Sequence, residues 1–330
     1  MHALLGKDSL VTEWQDIIKT ENNVIDGGAL LRNIKWKEGE KFKEIICRYQ
    51  SFITSKYGLC SIVFDGYENI PSTKDHEHMR RAKVTCPKIR VENETTLSVS
   101  QSSFLSNNEN KHEFLTLLKP VLENDGHEII QAKSDADSLI VSTVLQKARD
   151  VGSVSLHGTD TDLAIMLLHH WRDNYADIVM KSDLVMKGRK QLKQLKVKEH
   201  ASCIDDDTRN LLLFIHAFGG CDTVSGIHEK SNNSVYKLLK NNSVAKNLAS
   251  KFMSQNASRE EIGEAGMKMF ILLYGGKDED DLCKLRYNQY MKMTAGTNRI
   301  NPSKLPPSER AAYFHSLRVY LQVVFYINLL

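Results

Sequence analysis

The chain has 330 residues, 41% of them hydrophobic and 26% charged. That composition excludes a mostly disordered chain, a collagen-like chain and a coiled-coil rod, and it leaves room for one large α/β domain or two smaller ones. Lys and Arg number 44 against 41 Asp and Glu, a net charge of +3; so small an excess decides nothing about nucleic acid, which is gripped by local basic faces rather than by totals.

Several short apolar runs have the length and β-branched content of buried parallel strands: 23–26, 60–64, 127–131, 152–156 and 176–180. Amphipathic stretches of helical length lie between them at 41–56, 110–124 and 138–149. This alternation predicts β-α-β units and a three-layer parallel sheet covered on both faces. The stretch 67–109 interrupts the rhythm and reads as a helix entered at Pro71 to Lys74, then a long Ser/Asn-rich loop over the sheet edge. Beyond about residue 205 the pattern turns helical, with helices expected at 206–218, 234–248, 258–274 and 308–330. The expected organisation is a core over 1–204, with an insertion at about 67–110, and a helical extension over 205–330.

The six cysteines include no Cys-x-x-Cys pair and no zinc-like spacing, and an early charge at Lys7, Asp8 and Glu13 breaks any signal-peptide core. Both features favour a reducing, intracellular setting, nucleus and cytoplasm being equally open. The apolar run 319–330 is shorter than the about 20 residues a bilayer needs and reads as core, so no membrane association is expected.

Acids recur where these strands end. Asp26 closes the first and Asp65 the second; Asp135 and Asp137 follow the third, Asp160 and Asp162 the fourth, and Asp222 follows a helix in the later part. In an open parallel sheet the carboxyl ends of the strands form the crevice where sites are built. Seven carboxylates in one cleft repel one another and raise each other's pKa unless cations compensate. All-oxygen donors suit hard ions, Mg²⁺ or Mn²⁺, and two such ions can promote water attack on a phosphodiester and stabilise its leaving oxygen. Set against this, a single Asp-x-Asp is commonly a surface or helix-cap feature, and Asp135, Asp137 and Asp162 are all plausible caps.

These motifs carry a resemblance. The order Val24-Ile25-Asp26-Gly27, Val63-Phe64-Asp65-Gly66, Asp135-Ala136-Asp137, Asp160-Thr161-Asp162 and Gly220-Cys221-Asp222 resembles the flap-endonuclease/XPG-type 5′ nucleases of the PIN-like superfamily, over roughly residues 23–239. The stretches 64–67, 72–75, 104–107 and 316–321 are similar to a group of uncharacterised animal proteins of that superfamily, some linked to mobile elements. The resemblance implies a divalent-metal-dependent nuclease acting on DNA or RNA, with the seven aspartates holding two Mg²⁺ or Mn²⁺ ions. Family members carry Glu-Ala-Glu where this chain has Asp135-Ala136-Asp137, which draws both carboxylates back by one methylene. Lys74 and Arg81, two helical turns apart, match the family's phosphate-facing cations, and Arg80 and Lys83 extend that patch. The segment 220–240 sits where the family has a helix–hairpin–helix that grips duplex phosphates; Gly226 fits, Glu229 and Ser231 replace later glycines, and Lys230 and Lys237 are the available cations.

Other features weigh less. His169 and His170 lie on an apolar run and read as structural, while the basic run 187–198 reads as a solvated hairpin or helix face rather than a phosphate contact. The alternative to an enzyme is a silent PIN-like module that binds nucleic acid or protein, but a decayed nuclease would have lost some of its acids. A phosphatase with an Asp nucleophile needs a second acid two residues after Asp26, where Gly28 stands.

Overall fold

The computed structural model describes residues 19–66, 86–133, 135–186, 189–296 and 301–329, with backbone alone for 183–186, 189–193 and 296. Lys74, Arg80, Arg81 and Lys83, with the helix expected from Pro71, lie outside the described residues. The chain divides into two compact units that meet in sequence between Glu199 and His200.

The first unit is an α/β sheet. Its described elements are β1 (Asn22–Asp26), α1 (Gly27–Asn33), α2 (Phe42–Tyr57), β2 (Ser61–Phe64), α3 (Gln101–Ser106), α4 (Asn108–Asn124), β3 (Glu128–Gln131), α5 (Asp137–Asp150), β4 (Val154–His157), α6 (Thr161–His170), β5 (Ile178–Met186) and β6 (Arg189–Lys196). The strands lie in the order β3-β2-β1-β4-β5-β6. The first five run parallel, and β6 returns antiparallel along β5 from Met186↔Arg189 to Val179↔Lys196. Thus the basic run, read as a solvated hairpin or helix face, lies largely in the returning arm of a β5–β6 hairpin, and as an edge strand it makes the sheet mixed rather than wholly parallel. Lysines are common on such edges because their charge discourages further strand addition.

Strand alternation divides the core. Ile25, Ile62 and Phe64 enter a cluster with Trp36, Phe42, Ile45, Tyr49, Phe104 and Phe114 from the α2 and α4 side. Val24 and Val63, one residue out of phase, are fully buried on the opposite face, where α5 packs on β1 and β4. Within the aromatic cluster the Trp36 indole N–H donates to the Tyr49 hydroxyl at 2.9 Å, and that hydroxyl donates to the Leu31 carbonyl at 2.7 Å. Burial is thereby made compatible with two polar groups.

The Ser/Asn-rich stretch differs from its expected loop. It forms α3, capped by the Ser100 side chain, and buries Phe104 completely. Gln101 Nε2 donates to the Leu31 and Ile34 carbonyls, each at 2.8 Å, tying α3 to the end of α1. The serines misled because cap residues and loop residues share a composition.

The second unit is helical: α7 (Val197–Cys203), which bridges the boundary, then α8 (Asp206–Asn210), α9 (Leu212–Gly219), α10 (Asn232–Asn241), α11 (Ser243–Lys251), α12 (Arg259–Leu273), α13 (Leu282–Gly296), a short 3₁₀ turn (Pro302–Lys304) and α14 (Glu309–Ile327). The helix expected over 234–248 is two helices. Asn242 ends α10 and caps α11, its side chain accepting from the Ala245 N–H at 3.0 Å. α12 and α14 pack closely because glycines face the contact: a Cβ on Gly263 would lie 2.3 Å from the Tyr313 ring, and one on Gly266 1.7 Å from Ser316 Oγ. Val319, Val323 and Tyr326 of the apolar final run are buried, and no described helix is long and apolar enough to cross a membrane.

His315 sits in this core between Phe218 and Phe270, its Nε2–H donating to the Phe218 carbonyl at 3.1 Å. Burial pushes its pKa down to about 4. A base with a depressed folded pKa stabilises the fold fully above its unfolded value, near 6.5, and loses that contribution as pH falls toward 4. The second unit should therefore lose up to about 3 kcal/mol between pH 6.5 and 4. His315→Gln should flatten that dependence in thermal melts followed across this range, and an unchanged slope would remove His315 as its source.

Candidate metal and phosphodiester site

Parallel strands of similar length end together, so their following residues meet at one edge. Asp26 is the last residue of β1 and also caps α1, its Oδ1 accepting from the Ala29 N–H at 3.1 Å. Asp65 follows β2 directly, and its Oδ1 accepts from the Ala136 N–H at 3.2 Å. That amide lies between Asp135 and Asp137, so the second and third acidic motifs are joined by a hydrogen bond. Asp137 opens α5 and is buried; Asp135 is half-buried. Asp160 caps α6, accepting from the Asp162 N–H at 3.0 Å, and Asp162 is buried in the first turn. Asp137 and Asp162, read from the sequence as plausible caps, stand instead in the first turns of their helices, and the acids among these that do cap are Asp26 and Asp160.

Glycines bring the acid-bearing ends together. A Cβ on Gly27 would lie 2.3 Å from the Phe64 ring, and one on Gly66 would lie 2.1 Å from the Lys133 carbonyl oxygen. A Cβ on Gly158 would stand 3.5 Å from Asp26 Cβ, which places the end of β4 against the end of β1. On Gly28 a Cβ would be 3.3 Å from Asp26 Oδ1 and 3.6 Å from Asp65 Oδ2, between the two carboxylates.

The electrostatics follow from this crowding. The Asp26 carboxyl is raised to about 6, first by burial and further by the negative charges of Asp65 and Asp160, against the opposing Ala29 and Gly28 amides. Among the described residues no three of the first unit's six acids bring an oxygen each within 4.8 Å of one another; the one trio of ligand-type groups that does is Asp281, Cys283 and Glu309, exposed in the second unit. Asp222 is exposed after α9 in that second unit.

The residues fit a hard divalent cation: the donors are all carboxylate oxygens, one of them is held at a cost in its charged form, and the Gly28 backbone leaves a gap between two of them. Gly28→Ala tests the gap. Its methyl would press on Asp26 Oδ1, which must give by a few tenths of an ångström, and should lower any cation-dependent activity by at least about tenfold, roughly 1.4 kcal/mol of transition-state stabilisation, with a melt run beside it to separate any loss of folding; unchanged activity would show that nothing occupies that space.

Some of the arrangement was hidden in the sequence. The Ala136 amide contributes through its backbone, which no residue type announces. The Asp-Gly pairs at 26–27 and 65–66 are a readable sign of close approach. In the 220–231 segment Gly220 has φ +107° and abuts the Gly226 backbone, Ile227 bridges to Lys230, and Glu229 adopts φ +58°. Lys230 stacks on Tyr274, 5.1 Å from the ring centroid, and Lys237 is exposed on α10.

No family model and no curated protein matches the chain. Solved structures do. The catalytic core of Rad2 in complex with DNA substrate is 13% identical over 79% of this chain and 74% of that one, with a TM-score of 0.44. A mutant T5 5′-exonuclease is 11% identical over 94% and 90%, TM-score 0.43, and the T5 D15 protein co-crystallised with metal ions is 16% identical over 66% and 74%, TM-score 0.40.

Proposed function

We propose that the protein is a Mg²⁺- or Mn²⁺-dependent nuclease that hydrolyses phosphodiester bonds in DNA or RNA, with a preference for flaps or 5′ ends. The observation that carries this reading is the gathering of Asp26, Asp65 and Asp160 at adjacent strand ends, close enough to raise the Asp26 pKa. Asp26, Asp65, Asp135, Asp137, Asp160 and Asp162 would hold the ions, with Asp222 added on the strength of its motif. When bound, a pair of such ions supplies Lewis acidity toward the phosphodiester and makes water a better nucleophile at neutral pH.

The chain's own residues do the rest. The α1 and α6 N-termini fix Asp26 and Asp160 through amide hydrogen bonds, so their carboxylates need not reorganise on each turnover. The Ala136 amide locks Asp65 relative to the Asp135–Asp137 turn. Lys74 and Arg81 are assigned, on their spacing alone, to balance charge building on the phosphate, with Arg80 and Lys83 beside them. Gly226, Lys230 and Lys237 are assigned to the nucleic-acid backbone away from the reacting bond.

The test is cleavage. Purified protein with Mn²⁺ should cut at least one of a flap, an overhang or a single strand, in DNA or RNA. The Asp65→Asn, Asp160→Asn double variant should retain the wild-type melt and cleave nothing. Absence of cleavage by the wild type on every such substrate would leave the silent binding module in its place.

A further inference from the structure

Glu229 breaks a local rule. It is the only non-glycine among the described residues with positive φ, at +58°, a conformation in which a side chain is strained and glycine is not. Its carboxylate is also the one acid of the 226–231 turn, in which Lys230 is the one formal cation. Lys230 lies next to it over the Tyr274 ring, and His228 Nε2 is 3.8 Å from Glu229 Oε1. The partner that satisfies Glu229 comes from far along the chain: Lys304, at the end of the 3₁₀ turn, places its Nζ 2.7 Å from Glu229 Oε1.

Both side chains are about half exposed, so the pair adds little to stability, and it does not repay the backbone strain. A feature that costs stability locally and is held by a distant residue points to a role outside folding. Polyanions are gripped by counting positive charge along a backbone, and one uncompensated acid in the path opposes that grip directly. With Lys304 in place, Lys230 and Lys304 outweigh Glu229 by one positive charge; without it, Lys230 and Glu229 only cancel.

We propose that Lys304 is a positioning residue for nucleic-acid binding: it acts by neutralising Glu229, so that the 226–231 turn accepts a phosphodiester backbone. This rests on the nuclease reading above and concerns only the grip on substrate. Lys304 acts through Glu229 and makes no phosphate contact of its own.

The experiment is a double-mutant cycle on the full chain, in EDTA, with fluorescein-labelled 20-base-pair DNA and RNA duplexes as probes across 50–200 mM salt. Lys304→Ala should weaken duplex binding about tenfold, as one uncompensated charge in a polyanion site does, whereas Glu229→Gln, which leaves no acid to neutralise, should bind as the wild type does. In the Glu229→Gln background Lys304→Ala should then change nothing, the whole effect being coupling. If Lys304→Ala weakens binding equally in both backgrounds, Lys304 touches phosphate itself and the inference fails. If the wild type binds the duplexes and Lys304→Ala leaves affinity unaltered, the inference fails while the nuclease reading stands. A wild type that binds neither duplex overturns the inference, and its cleavage of flaps or single strands then decides the nuclease reading separately. Glu229→Gly, which relieves the backbone, should raise Tm, confirming that a variant's altered binding does not come from lost folding.

Discussion

Asp26→Asn is expected to make the cation-free protein more stable and catalytically dead. The folded-state pKa of Asp26 is about 6 against an ordinary 3.8. An acid whose pKa is raised by folding binds its proton more tightly in the native state. Stability is therefore greatest in acid, declines as pH rises from 3.8 through 6, and stays low above that. Two pK units correspond to about 3 kcal/mol, of which roughly 2 survives a discount for partial exposure. The amide removes that charge and keeps an oxygen to accept from the Ala29 N–H, so the α1 cap persists. Tm at pH 7.5 should rise by roughly 4–8 °C for a unit of this size. Mn²⁺ should reverse the ranking. Saturating metal at about a hundred times its dissociation constant stabilises the wild type by about 2.7 kcal/mol, and the variant should gain much less. Melts of both proteins at pH 5 and 7.5, with and without Mn²⁺, check this. A variant that melts lower than wild type without metal, or that gains as much from Mn²⁺, would show that Asp26 is an ordinary cap and not a ligand held in strain for function.

The second large effect lies one residue from an acid. Gly66→Ala would set a methyl 2.1 Å from the Lys133 carbonyl oxygen and 2.5 Å from that of Ala132. Both obstacles are backbone, so no side chain can turn aside. Relief requires the ends of β2 and β3 to part, against the hydrogen bond from the Ala132 N–H to the Phe64 carbonyl at 2.9 Å. A cost at or beyond the roughly 3 kcal/mol upper end for overpacking is expected, with a fall in Tm of about 6–12 °C. Parting these ends also moves Asp65 from the Ala136 amide, so activity should fall below what the remaining folded protein accounts for. Denaturant unfolding combined with cleavage assays well below Tm separates the two losses. A variant with near-wild-type stability would mean that the ends of β2 and β3 do not approach as closely as this geometry requires.

Much of the fold was legible because burial imposes period and length. The runs at 23–26 and 60–64 set apolar residues side by side, Val24 with Ile25 and Ile62 with Val63 and Phe64, because both faces of β1 and β2 are covered, and β1 to β5 each start within two residues of the expected position. β6 was legible as a hairpin arm but not as part of the main sheet, because an edge strand needs only one paired side and tolerates lysines, so its composition resembles a solvated surface. α3 and the break at Asn242 escaped because a cap residue looks like a loop residue until its acceptor is found.

The order of the acids along the chain follows from sequence alone, as do their places after apolar runs and the glycines that follow two of them, since residue type and spacing are local properties. Which carboxylates come together was decided by the tertiary structure. It pairs β1 with β2 and β4, seats the Asp65 oxygen on the Ala136 amide and crowds Asp26 until its proton affinity rises. It also joined Glu229 to Lys304, 75 positions later. The physical reason is that proton affinity and ion pairing depend on distance through space and on exclusion of water, and neither quantity exists until strands and helices have packed.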